Sequence, residues 1–169
     1  MWVCKFRGYD EGSKIREIIE ESGVDVFYYP VNHYIKERRY YFIAVGIVKG
    51  EGKNRFFNGL KKLKKSKHGR RLELLEAEED FFIIITSHSI DEEEKKYVKT
   101  FYNPEIIHFK PIIFHKNGWE EWEIACLHRK PIEDIIKIGK KVYELELLKF
   151  HQKKIKNYGF MTMLPELTE

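Results

Sequence analysis

The sequence predicts an α+β protein built as two tandem βαββαβ units with antiparallel sheets. Three observations predict it. The order of strand-like and helix-like segments in the first half recurs in the second. Short stretches coincide when the halves are overlaid. At a shift of 81 residues, Pro30 falls on Pro111, Tyr41 on Trp122 and Ile43-Ala44 on Ile124-Ala125. At a shift of 73, Leu72-Glu73-Leu74-Leu75 falls on Leu145-Glu146-Leu147-Leu148, so the second copy is eight residues shorter before its last strand. Finally, 169 residues with 43% hydrophobic and 15% aromatic content supply a core for one domain of ordinary size or two small ones.

Each element has a local reason. Residues 2–7 read as a short strand. Residues 12–22 read as a helix, with Ile15, Ile18 and Ile19 on one face and Gly23 as its stop. Residues 24–35 form a strand interrupted at Pro30, and residues 39–49 another, with Lys36-Glu37-Arg38 as the hairpin turn between them. Residues 53–65 carry Phe56, Phe57, Leu60 and Leu63 at helical spacing, and residues 71–77 close the unit as a strand.

The second half repeats the order. Residues 81–86 read as a strand, and 90–101 as a helix whose acidic first turn, Asp91 to Glu94, suits the positive end of the helix dipole. Residues 105–115 carry Pro111 in a strand. Asn117-Gly118 is the strongest hairpin signal in the chain. Residues 119–128 form a strand, Pro131 opens a helix that runs to about residue 140, and residues 142–150 form the last strand.

This pattern is ferredoxin-like, with units at 1–79 and 80–152 and a linker at 153–169. Tandem units of this kind resemble ACT-like regulatory modules in topology. Pro30 and Pro111 mark strand edges or bulges, because proline cannot donate to a ladder. Helices on one side of each sheet leave two open faces. The aromatic runs Phe27-Tyr28-Tyr29 and Tyr40-Tyr41-Phe42, with Trp119 and Trp122 in the second copy, require those faces to be covered, either by each other or in a dimer.

The net charge of +4 permits a nucleic-acid partner without demanding one. Two cysteines fit a reducing compartment. The longest apolar run, Phe81 to Ile85, is far short of the roughly 18 residues of a membrane span. With no signal-peptide pattern at the N-terminus, the expectation is a cytoplasmic protein without a membrane partner. Abundant Lys, Glu and Ile with a single glutamine, Gln152, resemble a thermophile composition.

Two groups of residues are candidates for a site. The segment 53–71 contains Lys53, Arg55, Lys61, Lys62, Lys64, Lys65, Lys67, Arg70 and Arg71 and no acid, a positive face that could track phosphates or steer an anionic effector. A solvated helix face, with Phe56, Phe57, Leu60 and Leu63 turned inward, accounts for the same pattern. Cys126 and His128, two apart on a predicted strand, share a face and form a candidate metal pair. No GxSxG elbow, P-loop or GxGxxG is present, and no cofactor is expected. The reading is therefore that of a binding protein and not an enzyme.

The C-terminal residues Leu164-Pro165-Glu166-Leu167-Thr168 resemble the entrance to the helix-turn-helix domain of archaeal bacterio-opsin-activator-type transcription regulators. The resemblance implies the effector-sensing and dimerising region of a DNA-binding regulator. The chain stops at that entrance, so DNA contacts would belong to a C-terminal helix-turn-helix outside this sequence. It names no effector and transfers no DNA-reading residue. Two other functions are open: a nucleic-acid-binding module using the 53–71 face, and a small enzyme whose site is assembled across the fold.

Overall fold

Local chemistry ends the elements close to where the pattern predicts. The computed structural model describes residues 1–63 and 71–153. In chain order the elements are β1 (Trp2–Tyr9), α1 (Lys14–Ser22), β2 (Asp25–Lys36), β3 (Arg39–Lys49), α2 (Lys53–Lys62), β4 (Arg71–Glu78), β5 (Phe81–Ser89), α3 (Glu92–Phe101), β6 (Ile112–Phe114), β7 (Glu120–Cys126), α4 (Lys130–Val142) and β8 (Glu144–Gln152). Ser13 caps α1 by accepting from the Arg16 amide, and Gly23 ends it at φ 66°. Asp91 and Glu94 form a reciprocal capping box on α3. Glu37 and Arg38 take φ of 50° and 60°, the two left-handed positions of a tight hairpin between β2 and β3.

The strand predicted at 105–115 is much shorter. Only Ile112–Phe114 is regular, and Ile107 makes a separate bridge to Ala125. Pro111 provides the reason, since it has no N–H to extend the ladder. Residues 119–128 likewise shorten to Glu120–Cys126.

The eight strands form one sheet in the order β4-β5-β3-β2-β6-β7-β1-β8, antiparallel at every neighbour. The expected separate sheets are thus joined edge to edge where β2 meets β6, through Val26↔Phe114, Phe27↔Ile113 and Tyr28↔Ile112. Pro30 lies at a bulge in β2, and Pro111 lies next to Ile112, so the two prolines border this short ladder.

Strand placement also differs from the tandem reading. β1 lies between β7 and β8, and β5 lies between β3 and β4. The first strand of each half is therefore hydrogen-bonded within the other half. Alternation identifies a strand and its faces but carries no label for its partner. The 81-residue register fails for a related reason. Tyr41 neighbours the helix-facing Tyr40 and so points away from the helices, whereas Trp122 packs beneath them. Ala44 packs under the helices and Ala125 on the opposite face. The element order repeats, but this register places matched residues on opposite faces.

All four helices cover one face. Beneath α1 and α2, Ile19, Val26, Ala44, Phe56, Leu60 and Phe82 form one core. Beneath α3 and α4, Cys4, Phe6, Phe101, Trp122, Ile124 and Ile132 form another. The exchanged strands supply rings to both: Phe82 of β5 lies 6.1 Å from Phe56, and Phe6 of β1 stacks on Trp122 at 5.8 Å. Arg16 fastens α1 to the end of β1. It donates to the Tyr9 hydroxyl at 2.6 Å, to the Glu20 carboxylate at 2.5 Å and to the Asp10 carbonyl at 2.8 Å.

Phe82 fits because its cross-strand neighbour is Gly46. A Cβ at Gly46 would stand 2.7 Å from the Phe82 ring and 2.5 Å from the Phe27 carbonyl oxygen. The carbonyl is backbone and cannot step aside, so Gly46→Ala should destabilise the fold by about 1–3 kcal/mol. Urea unfolding checks this, and wild-type stability in the variant would contradict the packing described.

Candidate functional site

The basic residues do not gather into one free positive face. Lys53 is ion-paired with Asp80 at 2.5 Å, and Arg55 donates to the Glu21 carbonyl at the end of α1 at 2.9 Å. Lys61 and Lys62 are exposed on α2, and Arg71 is exposed at the start of β4. Lys53 and Lys61 line an open depression of about 790 Å³ that also contains Glu79. Lys64, Lys65, Lys67 and Arg70 lie outside the described residues. Phe56, Phe57 and Leu60 are buried under α2, as a solvated helix face requires.

The metal pair is not assembled. Cys126 is the last residue of β7 and fully buried in the core, whereas His128 lies beyond the strand and is exposed. Among the described residues, no group of three or more His, Cys, Asp or Glu side chains is placed to hold a metal ion. The Leu164–Thr168 motif lies outside the described residues.

A different group stands out on the helix side, where β2 meets β6 and the C-terminal end of α3 overhangs the sheet. Its centre is Glu120, the first residue of β7. The Tyr28 hydroxyl, reaching across from β2, donates a short hydrogen bond to Glu120 Oε1. Tyr28 stacks on Phe114 at 6.0 Å and meets Phe42 edge-on at 6.4 Å. Tyr102, at the end of α3, lies 5.4 Å from Phe42, 6.3 Å from Tyr40 and 6.5 Å from Trp122. Tyr97 and Tyr143 close the group on the α3–α4 side, with rings 6.1 Å apart.

Burial dominates the electrostatics here. It raises the Glu120 carboxyl to about 7, and hydrogen bonding from Tyr28 and Trp122 offsets only part of that rise. The phenols of Tyr28, Tyr40, Tyr97 and Tyr102 are also pushed up, first by burial, and remain protonated donors at neutral pH. His108, beside Tyr102 and Trp122, is lowered to about 4 by burial and by the neighbouring His33. Cys4, in the core on the same face, is raised to about 12 by burial and is inert as a nucleophile.

Several of these groups have unused hydrogen-bonding capacity. The Tyr40 and Tyr97 hydroxyls lie near Tyr102 and Tyr143 but outside hydrogen-bonding geometry, and His108 Nδ1 is also buried without a partner. Such atoms cost about 1–3 kcal/mol each when left unpaired. A cleft of about 440 Å³, lined by His33, Val98, Lys99, Tyr102 and Asn103, opens beside them. The cleft is of a size for a small molecule and presents the neutral donors and acceptors of His33, Tyr102 and Asn103, with the Glu120 carboxyl outside its lining.

Sequence reasoning missed this site. Glu120 reads as an ordinary polar position after a turn, and the signal available was the aromatic runs at 27–29 and 40–42. Only the joining of β2 to β6 brings Tyr28 and Glu120 together. No helix of the described residues is long and apolar enough to cross a membrane. Comparison of the chain with models of protein families, with curated proteins and with solved structures gives no match.

Because the folded-state Glu120 carboxyl titrates above the usual carboxylate range, its neutral form is favoured by folding. Its contribution is therefore complete in acid and is lost as pH rises from the ordinary carboxylate value through about 7. Glu120→Gln should retain the Tyr28 contact and remove this loss, raising stability at pH 8 by about 3 kcal/mol relative to wild type. Urea unfolding at acid and alkaline pH tests it. Equal pH dependence in the two proteins would contradict the assignment.

Proposed function

We propose that the chain is the effector-sensing and dimerising region of a DNA-binding transcription regulator, and that it is not an enzyme. The DNA contacts would come from a C-terminal helix-turn-helix domain, and no cofactor is required. In this reading the halves are ferredoxin-like units whose first strands have changed places, working as a cytoplasmic homodimer.

One observation carries the sensing role: the Tyr28–Glu120 hydrogen bond crosses the seam between the halves beside buried polar atoms without partners. A molecule that pairs with those atoms would favour one fit of β2 against β6 and β7. Sensing requires such differential affinity for two states. Tyr102, which lines the cleft, with the Glu120 carboxyl acting on it electrostatically, would suit a small aromatic amine, by stacking and by charge. The basic residues of α2 support a nucleic-acid face less well, since Lys53 and Arg55 are already engaged.

Thermal unfolding of the wild type in a panel of small aromatic amines and matched aromatic acids tests the proposal. Amines should raise the melting temperature of wild type and not that of Glu120→Gln or Tyr102→Ala. A flat response to the whole panel, or a shift that survives both substitutions, would overturn it.

A further inference from the structure

The sheet forks at Pro30 and Pro111. β2 pairs with β3 along its whole length, but with β6 only through Val26, Phe27 and Tyr28. The two prolines flank the point where that pairing stops, and neither has an N–H to carry it further. Ahead of Pro111 the chain lies on the far side of the fork, where Ile107 bridges Ala125 of β7. Among the described residues, no strand pairs with residues 31–36 on the side away from β3.

Residues 31–36 therefore form an edge within the sheet, about 20 Å long at a rise of about 3.3 Å per residue. Ladder bonding alternates, so every second residue here turns its N–H and C=O away from β3. Exposed edges are ordinarily blunted by bulges and by charge. Both outer edges of this sheet are blunted so: β4 carries Glu73, Glu76 and Glu78 with a bulge at Leu75, and β8 carries Glu144, Glu146 and Lys149 with a bulge at Leu148. The inner edge, beyond the bulge at Pro30, is not. From Val31 to Ile35 it has no Lys, Arg, Asp or Glu, and Val31, Tyr34 and Ile35 are 60%, 40% and 41% exposed.

Opposite this edge stands the C-terminal end of α3. The cleft of about 440 Å³ lies between the two, walled by β2 on one side and by Val98, Lys99, Tyr102 and Pro104 on the other. A strand edge beside a helix, with apolar side-chain space between them, is an arrangement that accepts an extended peptide. Main-chain bonds along the edge supply affinity, and alternate side chains enter the groove. The exposed Lys99 is the charged residue of the lining, so it selects a carboxylate on the incoming chain. We propose that the groove between residues 31–36 and the end of α3 binds an extended segment of a partner polypeptide as an added strand, with an aromatic or aliphatic side chain in the cleft and a carboxylate on Lys99. This goes beyond the effector reading and does not rest on it. A small molecule stacked on Tyr102 would fill the side-chain space that the segment needs, so the two ligands exclude each other.

Fluorescence anisotropy of labelled heptapeptides with the full chain tests it, in the absence of any amine. The probes alternate Thr with Val, carry Phe, Leu or Tyr at the centre, and end in either Asp or Lys. The Asp probes should bind roughly tenfold more tightly than the Lys probes. Methylating one alternate set of peptide amides should abolish binding and methylating the other should spare it, because an added strand bonds along one side only. Ile35→Lys should weaken binding by roughly tenfold, and Lys99→Glu should reverse the preference between Asp and Lys probes, both with native circular dichroism. Leu127→Lys, at an exposed leucine beyond β7, should change nothing. No binding by any probe, equal effects of the two methylated sets, or a preference that survives Lys99→Glu would overturn the proposal. So would a wild-type dimer in sedimentation that Ile35→Lys dissociates, since a second copy would then hold the edge.

Discussion

The rest of the structure depends on the exchange of β1 and β5. Because β1 is held between β7 and β8, the first residues of the chain complete the core beneath α3 and α4. Because β5 is held between β3 and β4, Phe82 completes the core beneath α1 and α2. Neither half can bury its apolar layer without a strand that the sequence places in the other. The direct edge contact between β2 and β6 is short and bordered by Pro30 and Pro111, so it could not unite the halves by itself. The exchange turns a weak seam into part of a continuous sheet.

A seam held from elsewhere can tolerate an unfavourable group. Glu120 is costly to ionise where it sits, and nearby hydroxyls and His108 lack partners. In a core whose stability rested on that spot, such groups would be a liability. Here the exchanged strands complete both cores, so the polar atoms between the halves can be tolerated. The two faces of the sheet differ in character, with titratable and aromatic groups under α3 and an apolar layer on the outer side of β5, β3 and β2.

Much of this fold can be read from the amino-acid order. All twelve elements are foreshadowed by alternation, helical spacing, Gly23, the Asp91 cap, the Glu37-Arg38 turn and Asn117-Gly118. These signals act over a few residues, and the chemistry that sets them is local. Strand partnership is not local. β1 alternates and β5 opens on a continuous apolar run, but neither pattern names a partner, so nothing in either segment distinguishes its own half from the other. The 81-residue match misleads because an alignment scores residue type, and a slip of one residue in a strand reverses its face. The basic segment is visible as charge, but Asp80 and the Glu21 carbonyl, which engage Lys53 and Arg55, are distant in sequence. Glu120 becomes exceptional only when Tyr28 of β2 meets it.

The exchange is tested most directly by following a lesion in one half with probes in the other. Trp2, Trp119 and Trp122 all lie on the β6-β7-β1-β8 side, and Phe56 is buried beneath α2 on the opposite side. Phe56→Ala should cost about 3–5 kcal/mol. With β1 and β5 exchanged, tryptophan fluorescence and far-ultraviolet circular dichroism should show one coincident urea transition, displaced equally by the substitution. A tryptophan transition that stays in place while the circular dichroism splits would mean that the halves fold independently, which contradicts the exchange.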